Sequence, residues 1–200
     1  MALRPLTPEE MAYPRVTEIL SSKPKPWLQR WKDKWGALAD RKTSAANRIG
    51  TAFHQGAEKL VHGEWIETKD KRLHGMLAKF ETWIEQAKFV PKETELRVVS
   101  NVHRFKGTFD ATGCLADKPK TLTLMDWKTS SGLKPDMALQ LAAYAIAYEE
   151  MTGLPIKRGM IVLVKKQKPF HELIVQEYKL GKRVRNQFLR RLKEYNEARS

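Results

Sequence analysis

Arg104-Phe-Lys-Gly-Thr-Phe-Asp-Ala-Thr-Gly-Cys-Leu-Ala116 and Thr121-Leu-Thr-Leu-Met-Asp-Trp-Lys128 flank a turn signal at Asp117-Lys-Pro119. Both segments read as strands, and the turn makes them neighbours. Each strand carries one acid, Asp110 in the first and Asp126 in the second. The apolar run Leu122-Thr-Leu-Met125 predicts a central, well-fixed strand with Asp126 at its end. Asp126 and Lys128 are two apart, so both side chains fall on one face of that strand. The turn between the strands lets Asp110 and Asp126 meet across them.

The tripeptide acid-any-Lys also occurs at Asp40-Arg-Lys42, Glu67-Thr-Lys69 and Glu177-Tyr-Lys179. Asp40 lies in a polar stretch and Glu67 in a linker, so neither has a rigid strand to aim it. Glu177 ends a plausible strand, but the strand before it carries no comparable acid. Context selects Asp126.

Outward from this centre the period changes. Toward the N-terminus, Ile49, Phe53, Ala57, Leu60 and Val61 recur at helical spacing over 44–61, and Leu73, Leu77, Phe80, Ile84 and Ala87 do so over 70–87. A strand over 95–100 precedes the central pair. The first forty residues read as irregular to helical, with Thr17 capping a short turn that Lys23-Pro-Lys-Pro26 breaks. Toward the C-terminus, 136–151 returns to helical spacing. Strands over 160–164 and 172–178 follow, then a basic helix over 182–198. The order predicts an α/β or α+β core, a mixed central sheet flanked by helices, with a helical N-terminal part. One domain spans 1–200: residues 1–90 are mainly helical, and 91–200 hold the sheet and the basic C-terminal helix.

Lys and Arg outnumber Asp and Glu by 37 to 23, for a net charge of +14. Such a field favours a polyanion, nucleic acid first and an anionic membrane second. No apolar run approaches the roughly 20 residues that span a bilayer, and the opening residues lack the apolar core of a signal peptide. The expectation is a soluble, cytoplasmic protein. The single Cys114 cannot form an internal disulfide or a cysteine-rich metal cluster.

Two carboxylates and a lysine are the minimal set for metal-assisted phosphodiester cleavage. Magnesium takes one or two carboxylates together with water and substrate phosphate, and polarises a phosphoryl oxygen. Lys128 would accept the water's proton or steady the developing charge. The same pattern also suits a salt-bridge cluster at a sheet end.

Gly107-Thr-Phe-Asp110, Leu124-Met-Asp-Trp-Lys-Thr129, Gln140-Leu-Ala-Ala-Tyr144 and the upstream Ile49-Gly-Thr-Ala-Phe-His54 form an ordered set that resembles the PD-(D/E)XK nucleases, in particular their RecB-like exonuclease branch. Pro14-Arg-Val-Thr-Glu-Ile-Leu20 is similar to an N-terminal opening of the mitochondrial-type members. Phe109 stands where many members have Pro. The resemblance implies a restriction-endonuclease-like core with an N-terminal helical cap. It also implies Mg2+ or Mn2+ held by His54, Asp110, Asp126 and the Trp127 carbonyl, with Lys128 catalytic. Gln140 and Tyr144, which share a helical face at i, i+4, would orient the site or hold DNA. Glu95, opening the strand before Asp110, would support the metal shell. Iron–sulfur members need four cysteines, so no cluster is expected.

The implied activity is a metal-dependent DNA exonuclease. It would act on free ends with single-strand preference, in phage or prokaryotic recombination, repair or DNA processing. A structure-dependent endonuclease and a non-catalytic nucleic-acid-binding subunit are the alternatives. Lys165, Lys166, Arg185 and Arg190 are candidate phosphate contacts. Trp27 and Trp31 are candidate stacking platforms, although that spacing more often marks core packing.

Overall fold

A computed structural model of the chain describes residues 5–24, 26–165 and 172–199, with the Trp27 side chain excepted. Two short helices, α1 (Pro8–Ala12) and α2 (Val16–Ser21), open it. Thr7 and Glu10 cap α1 reciprocally, each side chain holding the other's backbone N–H. Thr17 does not cap α2 as its sequence position suggests. The helix begins two residues earlier than a Thr17 cap would start it, after Arg15, because Val16, Ile19 and Leu20 are all buried. The Pro14 carbonyl, just upstream, accepts the Lys106 N–H.

Helices α3 (Pro26–Trp35), α4 (Leu38–Val61) and α5 (Lys71–Ala87) follow. α4 starts six residues ahead of the expected 44, and most of that added length is exposed, so no apolar face marks it. Strands β1 (Val90–Ser100), β2 (Phe105–Leu115) and β3 (Lys118–Lys128) form an antiparallel meander. The β2–β3 hairpin closes on Ala116 and Asp117, since Leu115 already pairs with Lys118. Helix α6 (Asp136–Thr152) crosses over to β4 (Arg158–Val164), which lies parallel to β3, and β5 (Leu173–Lys179) returns antiparallel before α7 (Lys182–Glu197). The sheet order is β1-β2-β3-β4-β5, a mixed sheet with one parallel pair.

The sheet separates two apolar cores. One holds Leu124, Ile161 and Leu163 against α2, α6 and α7. The other holds Met125, Trp127, Met160 and Val162 against α4 and α5. In β3 and β4 successive residues alternate between these cores, as a pleated strand requires. The second core is dense in aromatic edge contacts: Phe80 meets Trp127 at 4.9 Å between ring centroids, and Trp83 meets it at 5.9 Å. No helix among the described residues is long and apolar enough to cross a membrane.

The alternation fails at one place in β2. Phe109 belongs to the first core and Ala111 to the second, although residues two apart should share a face. Across from this point Glu95 adopts φ 46°. Thr94 pairs with Ala111 and Leu96 with Phe109, so Glu95 stands opposite Asp110. The β1–β2 ribbon thus turns over at Asp110.

Candidate active site

At the same point β2 parts from β3. Their ladder runs from Leu115↔Lys118 to Ala111↔Met125 and stops there, one step short of Asp110 and Asp126. The Trp127 N–H is satisfied by the Asp110 carboxylate (Oδ2) instead of a strand carbonyl. The two aspartates therefore stand at the mouth of a fork. Both are nearly inaccessible, 8% and 2% exposed.

His54 is delivered from α4. Gly50 lets this helix pass close to the end of β3, where a Cβ would already lie 3.3 Å from Thr129 Oγ1. One turn on, His54 Nδ1 is 3.0 Å from Asp110 Oδ1. His54, Glu95 and Asp110 each offer a ligand atom, and these lie within 4.8 Å of one another. One imidazole nitrogen and two carboxylate oxygens suit a divalent cation.

Asp126 is placed differently. Its Oδ2 faces the Lys128 ammonium, and its Oδ1 accepts from Gln140 Nε2 at 3.3 Å. The same Gln140 amide donates to the Tyr144 hydroxyl at 2.8 Å. Gln140 is buried rather than a surface residue, and Tyr144 is 2% exposed. Gly107 makes room for the tyrosine: a Cβ there would fall 2.4 Å from the ring. Lys128, Asp126, Gln140 and Tyr144 thus form one chain of contacts beside the histidine–glutamate–aspartate trio. The Trp127 indole is committed to the second core.

The electrostatics follow from packing so many acids together. Burial, then the charges of Asp110 and Glu58, push Glu95 up to about 7. Burial also raises Asp126, opposed by the Lys128 ammonium and assisted by Asp110. Burial works against protonating His54, yet its hydrogen bond and attraction to Asp110 outweigh that and raise its pKa. A cation would relieve this crowding.

Glu95 was legible only as a peripheral support opening a strand. It lies in mid-strand, because β1 starts at Val90, and it is one of the three grouped ligands. Its left-handed backbone, which aims it, has no sequence signature. The candidate nucleic-acid contacts scatter. Arg185 is spent on Glu149 and on the Leu180 and Ile156 carbonyls, and Lys165 on Glu172 at 2.7 Å. Arg190 is exposed and Trp31 half-buried. Lys166 and the Trp27 side chain lie outside the described residues.

No curated protein sequence matches the chain. Among solved structures it is similar to a protein designated SSO0001, with 16% identity and a TM-score of 0.51 over 92% of this chain and 74% of that one. It is similar also to a candidate exonuclease from Eubacterium rectale, with 14% identity and a TM-score of 0.50 over 76% of this chain and 65% of that one. An alkaline exonuclease from Laribacter hongkongensis aligns at 10% identity and a TM-score of 0.44, over 74% and 78% of the two chains. At these identities the likeness to the first two speaks for the fold alone. The sequence profile of a nuclease superfamily matches residues 28–199, which include the whole fork and its histidine, and the chain therefore belongs to the PD-(D/E)XK nuclease superfamily.

Proposed function

We propose that the chain is a divalent-metal-dependent deoxyribonuclease that hydrolyses phosphodiester bonds from free DNA ends, with preference for single strands. The reading rests on one observation. His54, Glu95 and Asp110 converge within 4.8 Å at a strand fork whose other prong presents Asp126 and Lys128.

On this reading His54, Glu95 and Asp110 hold Mg2+ or Mn2+, with Asp126 and the Trp127 carbonyl completing the oxygen set. The cation supplies Lewis acidity, polarising a phosphoryl oxygen and making water a better nucleophile. The remaining work falls to the chain. Lys128 holds its ammonium beside the reacting phosphoryl group and offsets the charge that develops there. Asp126 keeps Lys128 in place, and Gln140 fixes the carboxylate of Asp126. Tyr144 braces Gln140 and, being buried, remains a neutral hydroxyl: burial pushes its pKa well above the usual phenol range. The setting that suits this activity is phage or prokaryotic DNA recombination, repair or processing.

The test uses end-labelled linear single- and double-stranded DNA and closed single-stranded circles, with Mg2+, Mn2+ or a chelator. Linear single strands should be shortened from their ends, circles left intact, and chelation should stop the reaction. Lys128→Ala should slow it by about 10²-fold or more. Cut circles would make the enzyme an endonuclease. Degradation that ignores both chelator and Lys128→Ala would remove the catalytic reading and leave a nucleic-acid-binding subunit.

A further inference from the structure

An open groove of about 800 Å³ lies beside the fork, between the N-terminal segment and the β1–β2 ribbon. Its inner wall is Tyr144, which contacts Gln140 and through it Asp126, so the groove and the candidate active site lie on either side of that buried pair. Gly107 and Thr108 line it along the stretch of β2 that β3 has left unpaired. The segment before α2 covers part of that free edge, where Arg15 bridges to Lys106.

Among the described residues three cations line this groove, and they are not equivalent. The Lys106 ammonium donates to the Glu10 and Met11 carbonyl oxygens, which ties the N-terminal segment to the ribbon. It is part of the wall. Arg15 and Arg97 are exposed, and among the described residues neither meets a carboxylate. Arg104, Arg158, Arg185, Arg191 and Arg199 each face an acid, and what sets Arg15 and Arg97 apart from the other exposed arginines is their place in this groove. Two exposed guanidinium groups, set in one groove next to the strands that carry Glu95 and Asp110, are suited to phosphate. The guanidinium fork matches a phosphodiester's paired oxygens better than an ammonium does. Thr108 pairs across the ribbon with Arg97 and adds a hydroxyl to the same wall.

We propose that this groove holds the backbone of the substrate strand flanking the scissile bond, with Arg15 and Arg97 gripping its phosphates. The inference rests on the nuclease reading for its choice of ligand, yet it can be tested apart from cleavage. The probe is a fluorescein-labelled single-stranded oligothymidylate, and the readout is anisotropy in chelator across a series of salt concentrations. Arg15→Ala with Arg97→Ala should weaken binding and flatten the plot of log affinity against log salt. The expected loss of slope is roughly 0.7 for each phosphate contact removed. Lys157→Ala with Lys179→Ala removes the same charge from the rim of a separate cavity beside α7, and should leave the slope nearly unchanged. In turnover assays the arginine pair should raise KM more than it lowers kcat.

An arginine variant with wild-type affinity and slope overturns the proposal, as does an equal loss from the lysine pair, which would mean that only net charge matters. Absence of oligothymidylate binding by the wild type overturns it too. If the arginine effect appears while no DNA is cut, the groove stands and the catalytic reading fails. If DNA is cut and the arginines prove silent, the reverse holds.

Discussion

Glu95 pairs an unfavourable backbone with a position that the chemistry needs. At φ 46° a side chain with a Cβ costs about 1 kcal/mol or more, a strain that clusters at functional sites. Glycine tolerates this conformation. Glu95→Gly should therefore stabilise the metal-free protein by about 1 kcal/mol in urea unfolding. The same variant should weaken Mn2+ binding at least about 10-fold in calorimetry. Opposite signs from one substitution would identify the glutamate as retained for ligation. Reduced stability would mean that its contacts outweigh the strain. At this scale the sequence is legible where spacing alone fixes geometry. Asp126 and Lys128 share a face because they are two apart in a strand, and Gln140 reaches Tyr144 because they are four apart in a helix. It is silent where the backbone departs from its period, as at residues 95 and 110.

Elements are readable in proportion to how clearly one face is buried. β4 is buried along its whole length, and its apolar run announces it. The first half of α4 and the opening of β1 give no such sign, because residues 40–48 and 90–95 are largely exposed or half-exposed and show no apolar face. Contacts between elements are the least legible, and Arg185 is the case in point. Its sequence neighbours suggest a basic face for DNA, yet it clamps α7 to the end of α6. Nη2 donates to Glu149 Oε1 at 2.6 Å, and Nε to the Leu180 carbonyl at 2.8 Å. Burial pushes the Glu149 carboxyl up, but Arg185 and the Ile156 N–H outweigh it and hold it below the usual carboxylate range. A depressed folded-state pKa contributes stability that is complete above the unfolded value and is lost as pH falls through the folded one. Arg185→Met should thus cost about 2 kcal/mol at pH 7. The gap from wild type should narrow in thermal unfolding below about pH 4.3. A gap that stays constant through the acid range would show that the carbonyl bonds, not the ion pair, hold the two helices.

Across the whole molecule the sheet keeps two apolar cores apart, and the candidate site lies where the β1–β2 ribbon exchanges one for the other. The sequence foretold the alternation of helices and strands that builds this layering, and its positive charge pointed to a polyanion. It did not show which cations remain available, because that depends on which carboxylate folding sets beside each one. The fork has one more result. The amide of Trp127 is tethered by a side chain where its neighbours in β3 are tethered by a strand. Removing that tether with Asp110→Ala should speed deuterium uptake at this single amide about 10-fold or more, with Thr123 to Met125 still slow. Recruitment of Asp110 by a cation would then register as altered uptake at Trp127, a reporter of occupancy that needs neither substrate nor turnover.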